Sequence, residues 1–171
     1  MTELQPLEAR HAEAVLRFER ENREYFARSI PDRGDAYFTD FAARHAALLA
    51  EQATGLCRFH VLVNDDGEVL GRFNLVDLVD GSAELGFRMA AAAAGKGMAK
   101  DGVRRVCRLA RDEYGLTRLV ASARRENAGS LAVLRATGFV PIGEVLLSGR
   151  PGIRHTCELG EDPPPGHPAR L

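Results

Sequence analysis

The sequence predicts one α/β domain in which a mixed β-sheet is flanked by helices. The first third of the chain carries apolar side chains at helical spacing, whereas the middle alternates between apolar and polar residues as half-buried strands do. Two turn signals, Asn64-Asp65-Asp66-Gly67 and Asp80-Gly81, divide the middle part into three antiparallel strands. A later short strand follows a strand and a helix, which makes it a candidate parallel partner in the same sheet.

The N-terminal third is predicted to form three helices. The residue before Pro31 is disfavoured in helical geometry and Gly34 supplies a turn, so a loop separates the second helix from the third. Asp35 is a plausible N-cap for the third helix, and Gly55 ends it. The predicted helices cover residues 7–20, 23–29 and 36–53.

The rest of the chain alternates between strands and helices. Gly71 interrupts a strand at a place where a β-bulge would fit. Asn127 can cap a helix that stops at Gly138, because glycine commonly follows the last helical residue. The last two strands are predicted to form a hairpin that turns at residues 149–152. The predicted strands cover residues 56–63, 68–79, 82–90, 116–123, 139–148 and 153–159, and the helices cover 99–114 and 128–137.

Composition argues against several functional classes. The formal net charge is −1, whereas a nucleic-acid-binding protein profits from a strong positive excess. No apolar run reaches the roughly 18 residues of a membrane span, and residues 1–5 lack the features of a secretory signal. The three cysteines have no metal-ligand spacing and are interpreted as reduced packing residues of a cytoplasmic protein. Residues 1–160 are the predicted domain, and the proline-rich residues 161–171 are predicted to be a disordered tail.

The stretch Ala94-Gly95-Lys96-Gly97-Met98-Ala99 joins the third strand to the next helix. A glycine-rich turn of this kind points unpaired backbone N–H groups, at the positive end of a helix dipole, toward an anion. It lacks the Gly-Lys-Ser/Thr ending of a P-loop and the three-glycine spacing of a dinucleotide fingerprint. A pyrophosphate cradle is the functional interpretation of the stretch, and a plain tight turn is the structural alternative.

The order of elements and the motifs around this turn resemble the GNAT superfamily of acyl-CoA N-acyltransferases, in particular its RimJ/RimL-like branch. The similarity runs from about residue 4 to 160 and includes the segments 21–26 and 83–87, the run Asn127-Ala128-Gly129-Ser130 and the pair Gly138-Phe139. Ala94 departs from the family pattern, which has Gln or Arg there. The resemblance implies the GNAT fold, a mixed and mostly antiparallel sheet with a central splayed pair of parallel strands.

Acetyl-CoA is the acyl-donor co-substrate that the resemblance implies, and no metal is implied. Backbone N–H groups of the glycine turn would hold its pyrophosphate, so the side chain missing at Ala94 should weaken binding at most. The splayed third and fourth strands would offer backbone partners to the pantetheine arm. The cofactor-binding residues implied in this way are Phe87, Arg88, Met89, Gly95, Lys96, Gly97, Met98, Ala99, Asn127 and Ser130.

The resemblance also implies candidate catalytic residues. Glu84 is the candidate base, or the carboxylate that orients the amine, because the superfamily often uses a glutamate at this place; the alternative is a solvent-facing strand residue. Ser130 could protonate the leaving thiolate, or satisfy the local backbone at the start of a helix. Asn127 could bind the pantetheine arm, cap its helix, or do both. Arg124 and Arg125 are interpreted as solvated or near the CoA phosphates.

The expected reaction is direct acetyl transfer to a primary amine, which is either a protein N-terminus or a small molecule such as an antibiotic, a polyamine or an amino acid. A non-catalytic acyl-CoA-binding module is the alternative to an enzyme. Asp32, Asp35 and Asp40 either line a site for a cationic acceptor or serve as loop solubilisers and caps. The histidines show no metal spacing; His155 could face the acceptor, although a structural role is favoured. We expect a monomer or homodimer without nucleic-acid or membrane partners.

Overall fold

The structure, a computed structural model, describes residues 1–160, so the tail predicted over 161–171 lies outside the described residues. The described part of the chain contains six α-helices, seven strands and two three-residue 3-10 helices, Ala9–His11 and Ala91–Ala93. The helices are α1 (Ala12–Glu21), α2 (Arg23–Ala27), α3 (Asp35–Thr39), α4 (Phe41–Ala53), α5 (Met98–Asp112) and α6 (Ala128–Ala136). The strands are β1 (Thr2–Pro6), β2 (Arg58–Asn64), β3 (Val69–Val79), β4 (Ser82–Met89), β5 (Arg118–Arg124), β6 (Val140–Leu147) and β7 (Arg150–Glu158).

All seven strands form one sheet in the order β1-β2-β3-β4-β5-β7-β6. Every neighbouring pair is antiparallel except β4 and β5, which run parallel. This confirms the predicted mixed sheet and its central parallel pair. A register shift between β2 and β3 lies next to Gly71, where the sequence predicts a bulge.

The parallel pair separates early. Only three residue pairs join β4 to β5, from Ser82 opposite Arg118 to Glu84 opposite Val120. β4 continues to Met89 while β5 continues to Arg124 and stays paired with β7. The second half of β4 therefore has β3 on one side and an opening on the other, as the resemblance implied.

Helices cover both faces of the sheet. On one face, α5 and α6 pack on a core that includes Phe73, Leu75, Leu119 and Leu134. On the other face, the N-terminal helices pack on a second core around Val15, Phe18, Tyr37, Phe41 and Val61. Because alternate residues of a strand face opposite sides, β3 contributes Phe73 and Leu75 to one face and Arg72 and Asn74 to the other.

Some predicted boundaries are wrong, for physical reasons. The sequence does not predict β1, because a five-residue edge strand whose only large aliphatic residue is Leu4 gives almost no periodic signal. The predicted helix over 36–53 is broken at Asp40, although no glycine or proline marks the break. Tyr37 and Phe41 on either side of it are buried with their rings edge to face at 5.7 Å, so tertiary packing sets the bend.

Two turns also differ from the prediction. Gly34, not Asp35, is the N-cap of α3, because Asp35 is already helical. Gly34 has a non-helical φ of +85°. The last hairpin turns at Ser148 and Gly149, both with positive φ, so Arg150 already belongs to β7. Two-residue turns of this kind match the twist of a hairpin better than the longer turn expected from the sequence.

The cysteines are free thiols, as predicted. Cys57 is buried, and the Cys107 thiol of α5 contacts that of Cys157 on β7, which raises the pKa of Cys107 through a hydrogen bond and through burial. None of the helices among residues 1–160 is long and apolar enough to cross a membrane.

Candidate active site

The turn before α5 exposes a row of backbone donors. Gly95 and Gly97 adopt φ of +73° and +75°, and Gly97 caps the helix without a side-chain partner. The first helical bond is that from the Asp101 N–H to the Gly97 carbonyl, at 3.1 Å. From Gly95 to Ala99, the N–H groups have no acceptor among the described residues. A Cβ on either glycine would meet nothing within 4 Å, so the space above the turn is open to an anion.

A cavity of about 370 Å³ extends from this turn between the end of β4 and the start of α6. Met98, Ala99 and Lys100 form its end at the helix N-terminus, while Tyr25 and Phe26 of α2 close another side. Nine of the ten residues proposed from the sequence to bind the cofactor line this cavity: Phe87, Arg88, Met89, Gly95, Gly97, Met98, Ala99, Asn127 and Ser130. The tenth, Lys96, lies in the turn but does not line the cavity.

Asn127 and Ser130 stand at the start of α6. The Asn127 Oδ1 accepts the Ser130 backbone N–H at 3.2 Å, so the predicted N-cap is confirmed. This bond leaves the Asn127 Nδ2 and the Ser130 Oγ without a hydrogen-bond partner among the described residues. Both side chains can therefore serve the helix and a ligand together.

A second cavity, of about 340 Å³, continues on the face of the sheet that carries α1 to α4. It lies over Gly86 and between β3 and β5, with Leu147 and Ser148 of the last hairpin at its rim. Six residues line both cavities and mark where the two meet: Ser29, Ile30, Phe87, Arg88, Asn127 and Ser130. A ligand extended from the glycine turn through the first cavity would reach the second at Ser130.

Glu84 lies outside both cavities. It is half-buried on β4, on the same face as Gly86 and one side-chain repeat further from the glycine turn, which corresponds to about 7 Å along a strand. No hydrogen bond or ion pair of its carboxylate is present among residues 1–160. The structure thus does not bring Glu84 into contact with the other proposed residues, and its role stays a prediction.

Two arginines that the sequence does not single out, Arg33 and Arg72, join Arg88 and Arg124 in lining the second cavity. Arg124 is only 12% exposed and donates to the Ser29 carbonyl at 3.0 Å, so its interpretation as solvated is wrong. Arg125, its neighbour, is exposed and pairs with Glu144. Nothing in the sequence signals the cluster, because its members lie on a loop and three separate strands.

Glu19 of α1 holds three of these arginines. Its buried carboxylate accepts hydrogen bonds from Arg72 at 2.8 Å, from Arg33 at 3.1 and 3.2 Å and from Arg88 at 3.2 Å. Burial raises the pKa of Glu19, but the charges of Arg88, Arg33 and Arg72 outweigh it and hold that pKa below its usual value. Burial and the neighbouring positive charges lower the pKa of Arg88 to about 10. One carboxylate therefore pairs with three guanidinium groups and offsets only part of their charge.

The floor of the second cavity carries two polar atoms without partners. Asn74 Oδ1 and Ser122 Oγ are buried and make no hydrogen bond in the described part of the chain. Asn74 pairs directly with Gly86, which has no side chain to fill the space above it. Buried polar atoms in native proteins are almost always satisfied, so these two mark a place for a ligand or water.

The acidic residues considered for a cationic acceptor serve another purpose. Asp32 and Asp35 both accept hydrogen bonds from Arg23, at 2.8–3.0 Å, and Asp32 also accepts the Gly34 N–H. The hydrogen bond from Arg23 lowers the pKa of Asp32 to about 2. Asp40 is exposed between α3 and α4 and lines neither cavity. Asp32 and Asp35 therefore organise the loop before α3.

Two buried histidines, His155 and His60, have structural surroundings. His155 is buried on β7 with its Nδ1 3.1 Å from the Ile153 carbonyl, and it lines neither cavity. His60 is buried between the Phe73 carbonyl and the Tyr114 hydroxyl, and burial lowers its pKa to about 4. Among residues 1–160, no three His, Cys, Asp or Glu side chains gather where they could hold a metal ion.

Known proteins resemble this chain in sequence and in fold. The family model of the acetyltransferase (GNAT) domain matches residues 2–140. The probable N-acetyltransferase YjcK of Bacillus subtilis is 29% identical over 144 residues, which cover 80% of this chain and 78% of that protein.

Three solved structures share the fold. The ribosomal-protein-S5-alanine acetyltransferase of Vibrio fischeri superposes with a TM-score of 0.86 at 20% identity and covers 95% of this chain and 96% of its own. RimJ of Mycobacterium smegmatis in complex with CoA-disulfide superposes with a TM-score of 0.82 at 23% identity; the match covers 92% of this chain and 81% of that one. A variant of the spermidine N-acetyltransferase SpeG of Vibrio cholerae superposes with a TM-score of 0.74 at 16% identity; the match covers 92% of this chain and 95% of that one.

We expect Glu19→Gln to lower the free energy of unfolding at pH 7 by about 3–5 kcal/mol, the range for removing one charge of a buried ion pair. The amide cannot balance the three arginines, which then repel one another. Urea unfolding measures the effect. Glu21→Gln is the matched control, since Glu21 is exposed at the end of the same helix and should leave stability almost unchanged.

The difference between wild type and Glu19→Gln should depend on pH. The folded pKa of Glu19 lies below its usual value of 4.5, so its contribution is complete above that pH and is lost as the pH falls through the folded pKa. The two proteins should therefore converge in stability in acid. A constant difference from pH 7 to the acid limit would show that the carboxylate charge is not what stabilises the cluster.

Proposed function

Because the chain belongs to the GNAT acetyltransferase family, we propose that it transfers the acetyl group of acetyl-CoA directly to a primary amine in the cleft between β4 and α6. It is an N-acetyltransferase of the GNAT type, and GNAT enzymes use acetyl-CoA. The observation that supports the site assignment is the row of free N–H groups from Gly95 to Ala99, which faces the first cavity.

The residues of the cleft fit an acyl-CoA. The N–H groups of the glycine turn and the dipole of α5 would hold the pyrophosphate. The small side chain of Ala94 does not reduce the number of these backbone donors. The backbone of β4 from Phe87 to Met89 lacks a strand partner on the β5 side and would bind the pantetheine amides. Asn127 Nδ2 can donate to the same arm while its Oδ1 caps α6.

The transfer forms a C–N bond between the amine and the acetyl carbonyl carbon and breaks the C–S bond of the thioester. The amine must lose a proton, and the departing thiolate must gain one. Ser130 lies where the two cavities meet, which supports its hydroxyl as the proton donor to the thiolate. Glu84 would receive the proton of the amine through water, since about one strand repeat separates it from the cavity floor.

We propose a protein N-terminal amine as the acceptor, supported by the likeness of the fold to acetyltransferases of ribosomal proteins. A small-molecule amine is the second candidate, supported by the size of the second cavity, about 340 Å³, which suits a small ligand. A thiol-release assay with acetyl-CoA and a panel of peptides and small amines tests both. Failure of every amine to release thiol would contradict the proposed transfer.

We predict that Gly97→Glu abolishes CoA binding, because its carboxylate would occupy the space of the pyrophosphate. Calorimetric titration with CoA measures the dissociation constant. Gly55→Glu is the matched control: Gly55 has a φ of +81°, also with nothing within 4 Å, so it carries the same backbone strain far from the turn. Unchanged CoA affinity in folded Gly97→Glu would place the pyrophosphate elsewhere.

Ser130→Ala should lower kcat by about 100-fold, the lower end of the range for one positioned proton donor. The CoA dissociation constant should stay unchanged, because the Ser130 N–H still bonds to Asn127. Ser130→Thr retains a hydroxyl and should keep more activity than the alanine variant. Steady-state kinetics with saturating acetyl-CoA measure the effect, and equal kcat in wild type and Ser130→Ala would remove the hydroxyl from the mechanism.

Glu84→Gln should lower kcat and shift the pH profile toward alkaline pH, because the amide cannot accept the proton of the amine. Affinity for CoA should not change, as Glu84 lies outside the first cavity. The rate is measured from pH 6 to 10 with one amine. Glu68→Gln, an exposed carboxylate beyond the β2–β3 turn, serves as control. An unchanged profile would leave solvent as the proton acceptor.

A further inference from the structure

The second cavity carries a positive charge that the mechanism above does not use. Arg33, Arg72, Arg88 and Arg124 line it, and Glu19 is the buried carboxylate that contacts three of them. Glu126 lies 3.8 Å from Arg124 but is half exposed to solvent, so it screens that charge weakly. Four cations thus face one buried anion, and the cavity keeps a positive excess.

The guanidinium groups retain free donors. Arg72 and Arg88 each bond to Glu19 through Nη1, and their Nη2 atoms have no acceptor among residues 1–160. The side chain of Arg72 is 5% exposed and that of Arg88 is 21% exposed, so water competes little for these donors. Planar guanidinium donors in a partly desolvated cavity suit a carboxylate, which accepts two bonds from one arginine.

The cavity floor, unlike the arginines, favours a hydrogen-bond donor and not a carboxylate. Asn74 Oδ1 and Ser122 Oγ are neutral, buried and unpartnered, and they lie on either side of Gly86. A carbonyl oxygen can only accept hydrogen bonds, so Asn74 favours a donor such as an amine at this point and disfavours a carboxylate. Gly86 leaves open space there, and the floor adjoins the Ser130 end of the first cavity, where the acetyl group would arrive.

The two preferences are separated along the sheet. Asn74 pairs with Gly86 while Arg72 pairs with Arg88, so the neutral row and the cationic row are adjacent on the same face. Two residues of a strand span about 7 Å. The cavity therefore matches a ligand with its amine and its anion several bonds apart.

We infer that the acceptor of this enzyme is a primary amine with a carboxylate several bonds away, its nitrogen over Asn74, Ser122 and Gly86 and its carboxylate against Arg72, Arg88 and Arg124. The inference rests on the proposed function, whose acceptor it specifies. An acidic free amino acid and a peptide with an acidic residue at or next to its N-terminus share this chemistry. A polyamine does not, because its second cation would face the arginines.

Matched acceptors test the inference. Glutamate and glutamine differ by one charge, as do the peptides Ser-Glu-Ala-amide and Ser-Gln-Ala-amide, while spermidine represents a cationic acceptor. We expect kcat/KM with saturating acetyl-CoA to favour the acidic member of a pair by about tenfold or more, in line with hydrogen bonds to charged groups. Preference within the amino-acid pair alone, or within the peptide pair alone, identifies which source the cavity accepts.

Variants test whether the second cavity causes the preference for acidic acceptors. Arg124→Met should reduce the acidic-to-neutral ratio of kcat/KM, and Arg124 is chosen because it does not bond to Glu19 and so leaves the buried cluster intact. Arg125→Met is the control, since Arg125 is exposed, pairs with Glu144 and lines neither cavity. The same ratio in Arg124→Met and wild type would overturn the assignment to this cavity.

Equilibrium binding separates this inference from the proposed function. Calorimetric titration of the protein with each acceptor in the presence of CoA needs no turnover. Tighter binding of the acidic members without thiol release would support the inference and contradict the proposed transfer. Transfer to neutral amines or spermidine at rates equal to those of acidic ones would overturn the inference and leave the transfer standing. Equal affinities for acidic and neutral members would also overturn it.

Discussion

The early separation of β4 from β5 is the constraint on which the rest of the site depends. Three residue pairs hold the strands together, and beyond Glu84 and Val120 the backbone of β4 has no neighbour on that side. An unpaired strand inside a sheet would normally be unfavourable, because its N–H and C=O groups lose their partners. Here the start of α6 and the two cavities that meet at Ser130 lie beside the gap. The unpaired backbone groups of β4 therefore face a space that a ligand with amides can fill.

The N-terminal helices fix the other wall of this gap. The buried Asn22 side chain accepts the Ala91 N–H at 2.9 Å and donates to the Phe18 carbonyl, which ties the end of α1 to the entrance of the glycine turn. Glu19, one turn earlier, ties α1 to β3, β4 and the loop before α3 through its arginines. A buried ion pair adds little net stability compared with apolar packing, so the cluster serves to hold charged side chains in fixed positions.

Local signals predicted the parts of the site that depend on the backbone. Gly95 and Gly97 indicate a turn before a helix, Asn127 indicates a helix start, and the strand–helix–strand order indicates a parallel pair, because each depends on residues close in sequence. β1 gave no such signal, since a short edge strand is defined by its partner β2 and not by its own composition. The break at Asp40 likewise follows from the packing of Tyr37 on Phe41, which propensity cannot show.

The arginine cluster shows why the proposed acceptor half of the site is hard to derive from the sequence, whereas the proposed donor half is not. A formal net charge of −1 describes the whole chain, whereas the field in a cavity depends on which few charges converge there. Arg33, Arg72 and Arg88 converge because β3 and β4 pair in one register and the loop before α3 folds over them. A shift of that register by one residue would put the two strand arginines on opposite faces of the sheet. The proposed acceptor site therefore depends on strand register and loop position, whereas the proposed pyrophosphate site needs only a glycine turn at the start of a helix.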